Sequence, residues 1–140
     1  MFSSILCINC HHFGGKGGST GPDLTGSGNR YTVRDLTENI INPSKVVSDQ
    51  YPSEIITLKN GGSLIGRVVV EENNNLFVMT SAFAPNALTT VADADITDRK
   101  PNPVSMMPPG LLNALNPDEL LDLYAYILSG GNPEDPKFKK

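Results

Sequence analysis

Apolar residues recur at helical spacing in a segment that begins at Thr32. Asp35 follows Thr32 by three residues, an arrangement that is a variant of the capping box. The apolar positions behind it are Leu36, Ile40 and Ile41. Because proline cannot continue a helix, Asn42-Pro43 predicts where this one ends.

A second helical segment begins at Asn116, and a shorter one carries the first residues. Asn116 is a good N-cap, proline follows at the first helical position, and Glu119 can bond back to the cap. The apolar stripe behind this cap consists of Leu120, Leu121, Tyr124, Ile127 and Leu128. Gly130-Gly131 predicts its end. Residues 2–10 are apolar enough to predict a short helix at the start of the chain.

The pattern changes to β-strands and turns between residues 53 and 99. Short runs rich in β-branched residues are separated by turn signals, of which Asn60-Gly61 is the strongest. The runs are 55–58, 64–70, 76–79, 88–91 and 96–97. This alternation predicts a small antiparallel meander.

These elements predict a mostly α fold with a β insert. The 140 residues suit one domain. We expect a helical core formed by 1–52 and 100–131, interrupted by the insert at about 53–99 and followed by a polar tail at 132–140. The glycine-rich stretch 13–30 is a predicted loop, and a free linker is the alternative.

Composition and charge exclude several classes of function. Hydrophobic residues make up 39% of the chain, which argues against a disordered segment. No apolar run approaches the roughly 20 residues that cross a bilayer, so we expect no transmembrane segment. A net charge of −4 argues against a protein that binds nucleic acid through its phosphates. Two cysteines are too few for a disulfide framework, so their spacing is the best guide to their function.

The two cysteines lie in the sequence Cys7-Ile8-Asn9-Cys10-His11. This is C-x-x-C-H, the attachment signature of c-type haem. Two intervening residues on one helical turn place both sulfurs against the same edge of a flat ring, where each thiol can add to a vinyl group. The histidine that follows is then carried under the ring, where it can bind the iron. We therefore predict one covalent haem c, with His11 as an axial ligand.

Three alternatives to haem attachment compete for the same residues. A dithiol redox motif usually accompanies a βαβ pattern, which is missing around Cys7. A structural zinc site needs four ligands, usually from two separated clusters, whereas both cysteines and both histidines lie within residues 7–12. A chance match to five residues is the third alternative. His12 adjoins His11 and is interpreted as a surface or hydrogen-bonding histidine.

A methionine is the best candidate for the second axial ligand, because the chain has no third histidine. The candidates are Met1, Met79, Met106 and Met107. Proline holds the residue before it extended, so Met107 lies in a stiff loop that can present its thioether to a metal. Gap-filling in a core suits Met79 better. Met106 should point away from Met107 in an extended backbone, yet the sequence does not settle the choice between them.

Ligation by histidine and methionine predicts electron transfer. The thioether favours ferrous iron and raises the reduction potential, and six occupied positions leave no open site for oxygen or peroxide. We therefore expect one-electron transfer and no enzymatic reaction in the chain itself. The alternative is a haem with an open sixth position, acting as a peroxidase or gas sensor.

The ordered set of motifs resembles the class I cytochromes c, and more narrowly the Pirellula/Verrucomicrobium-type haem-binding domain. Beyond the cysteine motif, the matching segments are 21–26 (Gly-Pro-Asp-Leu-Thr-Gly), 42–44, 60–62, 105–112 (Ser-Met-Met-Pro-Pro-Gly-Leu-Leu) and the closing helix at 119–128. The resemblance implies a cytochrome c fold, with three or more helices around the haem.

The resemblance also implies roles for particular residues. It implies covalent attachment through Cys7 and Cys10, with His11 and Met107 as axial ligands. The carbonyl of Pro22 is implied to accept a hydrogen bond from the His11 ring, and Arg30 is implied to lie near a haem propionate.

The resemblance finally indicates partners and a location. Such domains often follow a dehydrogenase, so the expected partner is a redox protein or an attached dehydrogenase domain. Haem attachment of this kind takes place outside the cytoplasm, which predicts a periplasmic or other extracytoplasmic location. No signal segment precedes the motif, and we therefore expect a domain excised from a longer exported protein.

Overall fold

The computed structural model describes residues 1–138 and divides the chain into two compact units. The first unit contains Met1–Lys45 and the described residues from Pro108 onward. The second is Val46–Met107. The predicted polar tail at 132–140 includes a short 3-10 turn at Pro136–Phe138, and its last two residues lie outside the described residues.

The first unit contains three helices and a minimal β-ribbon. In chain order these are α1 (Cys7–Cys10), β1 (His12–Phe13), β2 (Lys16–Gly17), α2 (Val33–Ile41) and α3 (Pro117–Leu128). Short 3-10 turns at Ser27–Asn29 and Leu111–Ala114 connect them. None of the helices among residues 1–138 is long and apolar enough to span a membrane.

Reciprocal capping explains where α2 and α3 begin. At α2, the Asp35 amide donates to Thr32 Oγ1 at 3.2 Å while the Thr32 amide donates to the Asp35 carboxylate at 2.9 Å. At α3, the amides of Glu119 and Asn116 make the same exchange, both at 2.9 Å. Each capping box satisfies amides that a helix start would leave unpaired. Both predicted N-termini are confirmed.

The core of the first unit joins its N-terminal segment to α3. Its buried residues are Phe2, Ile5, Phe13, Leu36, Leu123, Tyr124 and Ile127. The rings of Phe2, Phe13 and Tyr126 form a cluster with centroids 4.8 to 5.7 Å apart. The predicted stripe of α3 needs one correction, since Leu121 is 62% exposed and Leu123 is fully buried. Position 123 lies one turn from Leu120 and Ile127, on the face that packs inward.

The predicted helix over residues 2–10 is shorter than expected. Only Cys7–Cys10 is helical, and the preceding residues form turns. Leu6 has φ 68°, a left-handed conformation that interrupts a right-handed helix.

The second unit is a five-stranded antiparallel sheet. Its strands are β3 (Glu54–Leu58), β4 (Ser63–Glu72), β5 (Asn75–Met79), β6 (Leu88–Ala92) and β7 (Ile96–Pro101), in the spatial order β6-β5-β4-β3-β7. Asn73 and Asn74 both have positive φ, as the tight turn between β4 and β5 requires. The core of this unit contains Ile56, Leu76, Val78 and Val91.

The predicted fold class is wrong, because the molecule is not mostly α. Within residues 1–138, only the helices α2 and α3 have seven or more residues, whereas five strands form one large sheet. The expected strands between 53 and 99 are present, but they are not a simple meander, since β7 returns to pair with β3. Strand β4 alone has ten residues, and β7 continues to Pro101. A cytochrome c fold with three or more helices around a haem is therefore not the architecture of this chain.

Candidate functional site

The cysteine motif occupies a single helical turn. The amide of His11 donates to the carbonyl of Cys7 at 2.8 Å, and the amide of Cys7 donates to Phe2 at 3.1 Å. Residues three apart share one side of a helix, so Cys7 and Cys10 face the same way. Neither forms a disulfide. Two thiols on one side of a short turn are the arrangement that attachment to two vinyl groups of one ring requires.

The acidity of Cys7 bears on the dithiol alternative. Burial raises the pKa of its thiol to about 11, so the thiol is protonated at neutral pH. Redox-active C-x-x-C motifs depend on a thiolate, which forms when the pKa is lowered. The environment of Cys7 therefore disfavours disulfide exchange.

The glycine-rich loop is held tightly against the motif and is not a free linker. The amide of Gly18 donates to Ile8 at 2.9 Å, and that of Gly21 donates to Cys10 at 2.8 Å. A Cβ on Gly18 would lie only 2.0 Å from the carbonyl oxygen of Asn9. At this close approach any larger residue would displace the loop from the turn that carries the cysteines.

The ring of His11 is fixed by the same loop. Its Nδ1 lies 2.7 Å from the carbonyl oxygen of Pro22, to which it donates when it carries the ring proton. A Cβ on Gly21 would lie 2.7 Å from Cε1 of the ring, so any larger residue at this position would force the ring to move. Burial lowers the pKa of His11, while the bond to Pro22 opposes this shift. The neutral imidazole then has its lone pair on Nε2, which is the form that binds a metal.

A second group of contacts closes the loop around Asp23. Its carboxylate accepts from the amide of Thr25 at 2.8 Å and lies 3.3 Å from Nδ1 of His12. The hydrogen bonds from Thr25 hold the pKa of Asp23 below its ordinary value. Nη2 of Arg30 donates to the backbone carbonyl of Asp23 at 3.3 Å. Arg30 thus lies beside the loop that positions His11, and its role at a propionate stays a prediction.

The methionine candidates fall into two groups. Met79 is buried in β5, at 3% exposure, as expected of a core residue. Met106 and Met107 are half-buried, and the amide of Met107 donates to Ser105 Oγ at 3.1 Å. Met107 is the last residue of the second unit, and Pro108 returns the chain to the first. Its role as a ligand stays a prediction.

Direct metal binding makes a different demand on the protein from haem binding. Within residues 1–138, no group of three or more His, Cys, Asp or Glu side chains is placed to hold a metal ion. A porphyrin supplies four nitrogens itself, so a haem iron takes only one or two ligands from the chain.

Neither protein-family models nor curated proteins give a match to this chain. The resemblance to haem-binding domains therefore remains a prediction that depends on the motifs.

Sequence reasoning missed two features of the site. The close packing of Gly18 on the cysteine motif could not be predicted, because many glycines in a loop indicate a flexible backbone as readily as close packing against another segment. Ser27 is completely buried, although a serine among glycines in a polar stretch is typical of an exposed loop. No signal in the sequence distinguishes it from its exposed neighbours.

Proposed function

We propose that this chain attaches one haem c covalently through Cys7 and Cys10 and transfers single electrons. The observation that carries the proposal is the setting of His11, whose ring is oriented by the Pro22 carbonyl and enclosed by Gly21 directly after a turn that bears two thiols. A core histidine would not need two thiols on the turn before it.

The residues of the cysteine motif and its loop fit a covalently attached haem. Two reduced cysteines share one side of α1, and the next residue supplies a neutral imidazole. Gly21 lets the loop pass close beside the His11 ring, where a Cβ would lie 2.7 Å from Cε1. These donors match those of a c-type haem, which takes two thioether bonds and an axial nitrogen.

The chain's own residues control the axial ligand. Pro22 fixes the tautomer and orientation of the His11 ring, and a hydrogen bond of this kind raises the basicity of the coordinating nitrogen. Burial keeps the ring neutral and limits its contact with water. When bound, the haem supplies an iron that exchanges one electron between the ferrous and ferric states. No bond of a substrate is made or broken in this activity.

Met107 is the proposed second axial ligand. The support is its place before Pro108, which favours an extended backbone, and the hydrogen bond from its amide to Ser105, which further restricts the loop. Ligation by its thioether would complete six coordination and raise the reduction potential.

The proposed partner is a redox protein or a dehydrogenase domain that donates electrons to the haem. We propose a periplasmic or other extracytoplasmic location, because covalent attachment to this motif takes place outside the cytoplasm. The chain's support for this is the C-x-x-C-H motif itself.

A spectrum of reduced, pyridine-treated protein tests the proposal. The chain is exported in cells that contain haem-maturation machinery, beside a double variant in which Cys7 and Cys10 are alanine. We expect the spectrum of a haem with two thioether bonds from the parent and none from the variant. Colourless parent protein would reject the proposal.

A further inference from the structure

The two edges of the five-stranded sheet differ in how they are protected from pairing with another chain. Strand β7 forms one edge and β6 forms the other. The β7 edge contains Asp98, Lys100 and Pro101, and an irregularity interrupts its register with β3. Charged residues, proline and bulges are the features that keep an edge strand from pairing. Strand β6, with the sequence Leu-Thr-Thr-Val-Ala and a regular register, has none of them.

Alternate backbone groups of β6 point away from the sheet. Directly after the strand, the amide of Asp93 donates to the carbonyl of Asn74 at 2.9 Å. Hydrogen-bonded positions alternate along an antiparallel ladder, so every second residue before Asp93 directs its backbone groups to β5 and the others direct them outward. The outward-directed residues are Leu88, Thr90 and Ala92. Within residues 1–138, the backbone hydrogen bonds of loops and turns do not reach these three residues.

The outward positions of β6 are complementary to those of a second copy of the same strand. In an antiparallel pair with its twofold axis at Thr90, this residue lies opposite its own copy, and Leu88 lies opposite Ala92 of the second copy. Both positions then exchange amide-to-carbonyl hydrogen bonds across the new ladder. The side chains that meet are small or apolar, and two threonines opposite one another are a favourable cross-strand pair.

Charge does not oppose this pairing, although the whole chain has a net charge of −4. The five residues of β6 are uncharged. Asp93 follows the strand three positions after Thr90, so its two copies would lie on opposite sides of the axis, roughly 20 Å apart. Salt screens charges at that separation, because the Debye length is only about 8 Å at physiological ionic strength.

The sheet surface beside this edge is partly apolar and exposed. Directly opposite residues of an antiparallel ladder share a face, which places Val70, Phe77 and Thr90 in one row across the sheet. Val70 is 41% exposed, and Leu88, two positions from Thr90 on the same face, is 37% exposed. A second copy paired with β6 would continue this row and remove Leu88 from water.

We propose that two copies of this chain associate through β6, so that their two sheets become one continuous sheet with a twofold axis at Thr90. The pairing uses backbone groups of the second unit and needs no haem, so it does not depend on the proposed function. Each copy offers one unprotected edge, and that edge is consumed in the pair. The assembly therefore closes as a dimer and does not grow into a filament.

Sedimentation velocity of the full chain over a range of concentrations tests the proposal. A reducing buffer prevents dimers that are linked through Cys7 or Cys10. We expect a monomer–dimer equilibrium, with slower hydrogen exchange at residues 88–92 as the dimer forms. A chain that stays monomeric up to about 1 mM, where even a weak pair is populated, would overturn the proposal. Assemblies larger than a dimer, or a dimer with unslowed exchange at these residues, would overturn it as well.

A charge exchange at Thr90 tests the position of the axis. Thr90→Lys and Thr90→Asp each bring two like charges together, so each should weaken the dimer by at least about tenfold. An equal mixture of the two variants brings opposite charges together and should restore a mixed dimer, which native mass spectrometry identifies by its mass. Because Thr90 is an exposed residue of an edge strand, both variants should keep the parent's circular dichroism.

Asp98→Lys is the matched control, because it changes the charge of the opposite edge strand. We expect this variant to dimerise as the parent does. Parent-like dimers in both Thr90 variants, or two weakened variants that do not pair when mixed, would overturn the pairing through β6. If a Thr90 variant does not fold, hydrogen exchange of the parent decides the question alone.

Discussion

Nδ1 of His11 lies 2.7 Å from the carbonyl oxygen of Pro22, eleven residues further along the chain. The bond joins the cysteine motif to the loop that follows it. Because the acceptor is the backbone carbonyl of Pro22, only replacement of His11 would delete the bond, and that would also remove the proposed ligand. The contact is best tested by adding a side chain beside the His11 ring, at Gly21.

Gly21→Ala should displace the ring of His11. The new Cβ would lie 2.7 Å from Cε1 and 2.9 Å from Nδ1, closer than packed atoms allow. Overpacking of this kind costs roughly 1–3 kcal/mol, so we expect a lower free energy of unfolding and less haem-loaded protein. Denaturant unfolding and haem absorbance per milligram of protein measure the two effects.

Gly26→Ala is the control for that substitution. Gly26 belongs to the same loop, and a Cβ there would meet nothing within 4 Å. We expect haem loading close to that of the parent. Equal losses in the two variants would show that the loop tolerates no alanine, and that the space beside His11 has no special role.

Met107→Ala should open the sixth position of the iron. Loss of the thioether lowers the reduction potential and lets carbon monoxide bind the ferrous form. Met106→Ala is the matched control and should keep the parent's potential and its resistance to carbon monoxide. If Met106→Ala shows these changes while Met107→Ala does not, the neighbouring methionine is the ligand.

Replacing Arg99 should weaken the sheet of the second unit. Its guanidinium bonds both carboxylate oxygens of Glu54, at 2.8 and 2.9 Å, and also Glu71 at 2.7 Å, so it joins β7 to β3 and β4. The hydrogen bonds that Arg99 donates to Glu54, and then to Glu71, raise the pKa of Arg99 further above its ordinary value. Because the cluster is partly exposed, we expect Arg99→Met to cost only about 1 kcal/mol, less at high salt.

Thermal unfolding of Lys45→Met provides the comparison for Arg99. Lys45 pairs with Glu38 on an exposed surface, where an ion pair contributes little. The melting temperature should fall clearly for Arg99→Met and hardly for Lys45→Met. A similar change in both would mean that the three-strand cluster adds nothing beyond a surface pair.

The cap of α2 should make stability depend on acid pH. Asp35 accepts from the amide and hydroxyl of Thr32, and these bonds lower its pKa below the ordinary value of 3.8. The folded pKa lies below the unfolded one, so this contribution is fully present above the unfolded value. It is lost as the pH falls through the folded value.

Asp35→Asn should flatten that acid limb of the stability curve. Denaturant unfolding between pH 2 and 6 would measure the change for Asp35→Asn and for Thr32→Ala, which removes the hydroxyl donor and keeps the amide of residue 32. Asp35→Asn should lose all of this pH dependence, and Thr32→Ala only the smaller part, because the bond from the amide is the larger cause of the lowered pKa. An unchanged acid limb in Asp35→Asn would exclude the capping box as its source.

The sequence predicted those helix ends and turns that are set by residues close to one another in the chain. The caps at Thr32 and Asn116 are satisfied within three residues, so their side chains identify both helix starts. The turn at Asn60-Gly61 is found between β3 and β4 for the same reason.

Features that depend on distant residues were not predictable in this way. The pairing of β7 with β3 is set by tertiary contacts, and strand patterns alone favour neighbours in sequence. The left-handed Leu6 and the close approach of Gly18 to Asn9 depend on the path of the loop. At the site, the residue types of the cysteine motif identified the candidate chemistry, but the buried hydroxyl of Ser27 emerged only from the structure.

Covalent mass is the most direct test of the central claim. After export with haem-maturation machinery and cleavage by trypsin, the peptide that contains Cys7 and Cys10 should gain the mass of one haem. The same peptide should gain none when both cysteines are replaced by alanine. Recovery of the unmodified peptide from the parent chain, with both thiols still reactive towards alkylating reagents, would contradict the account.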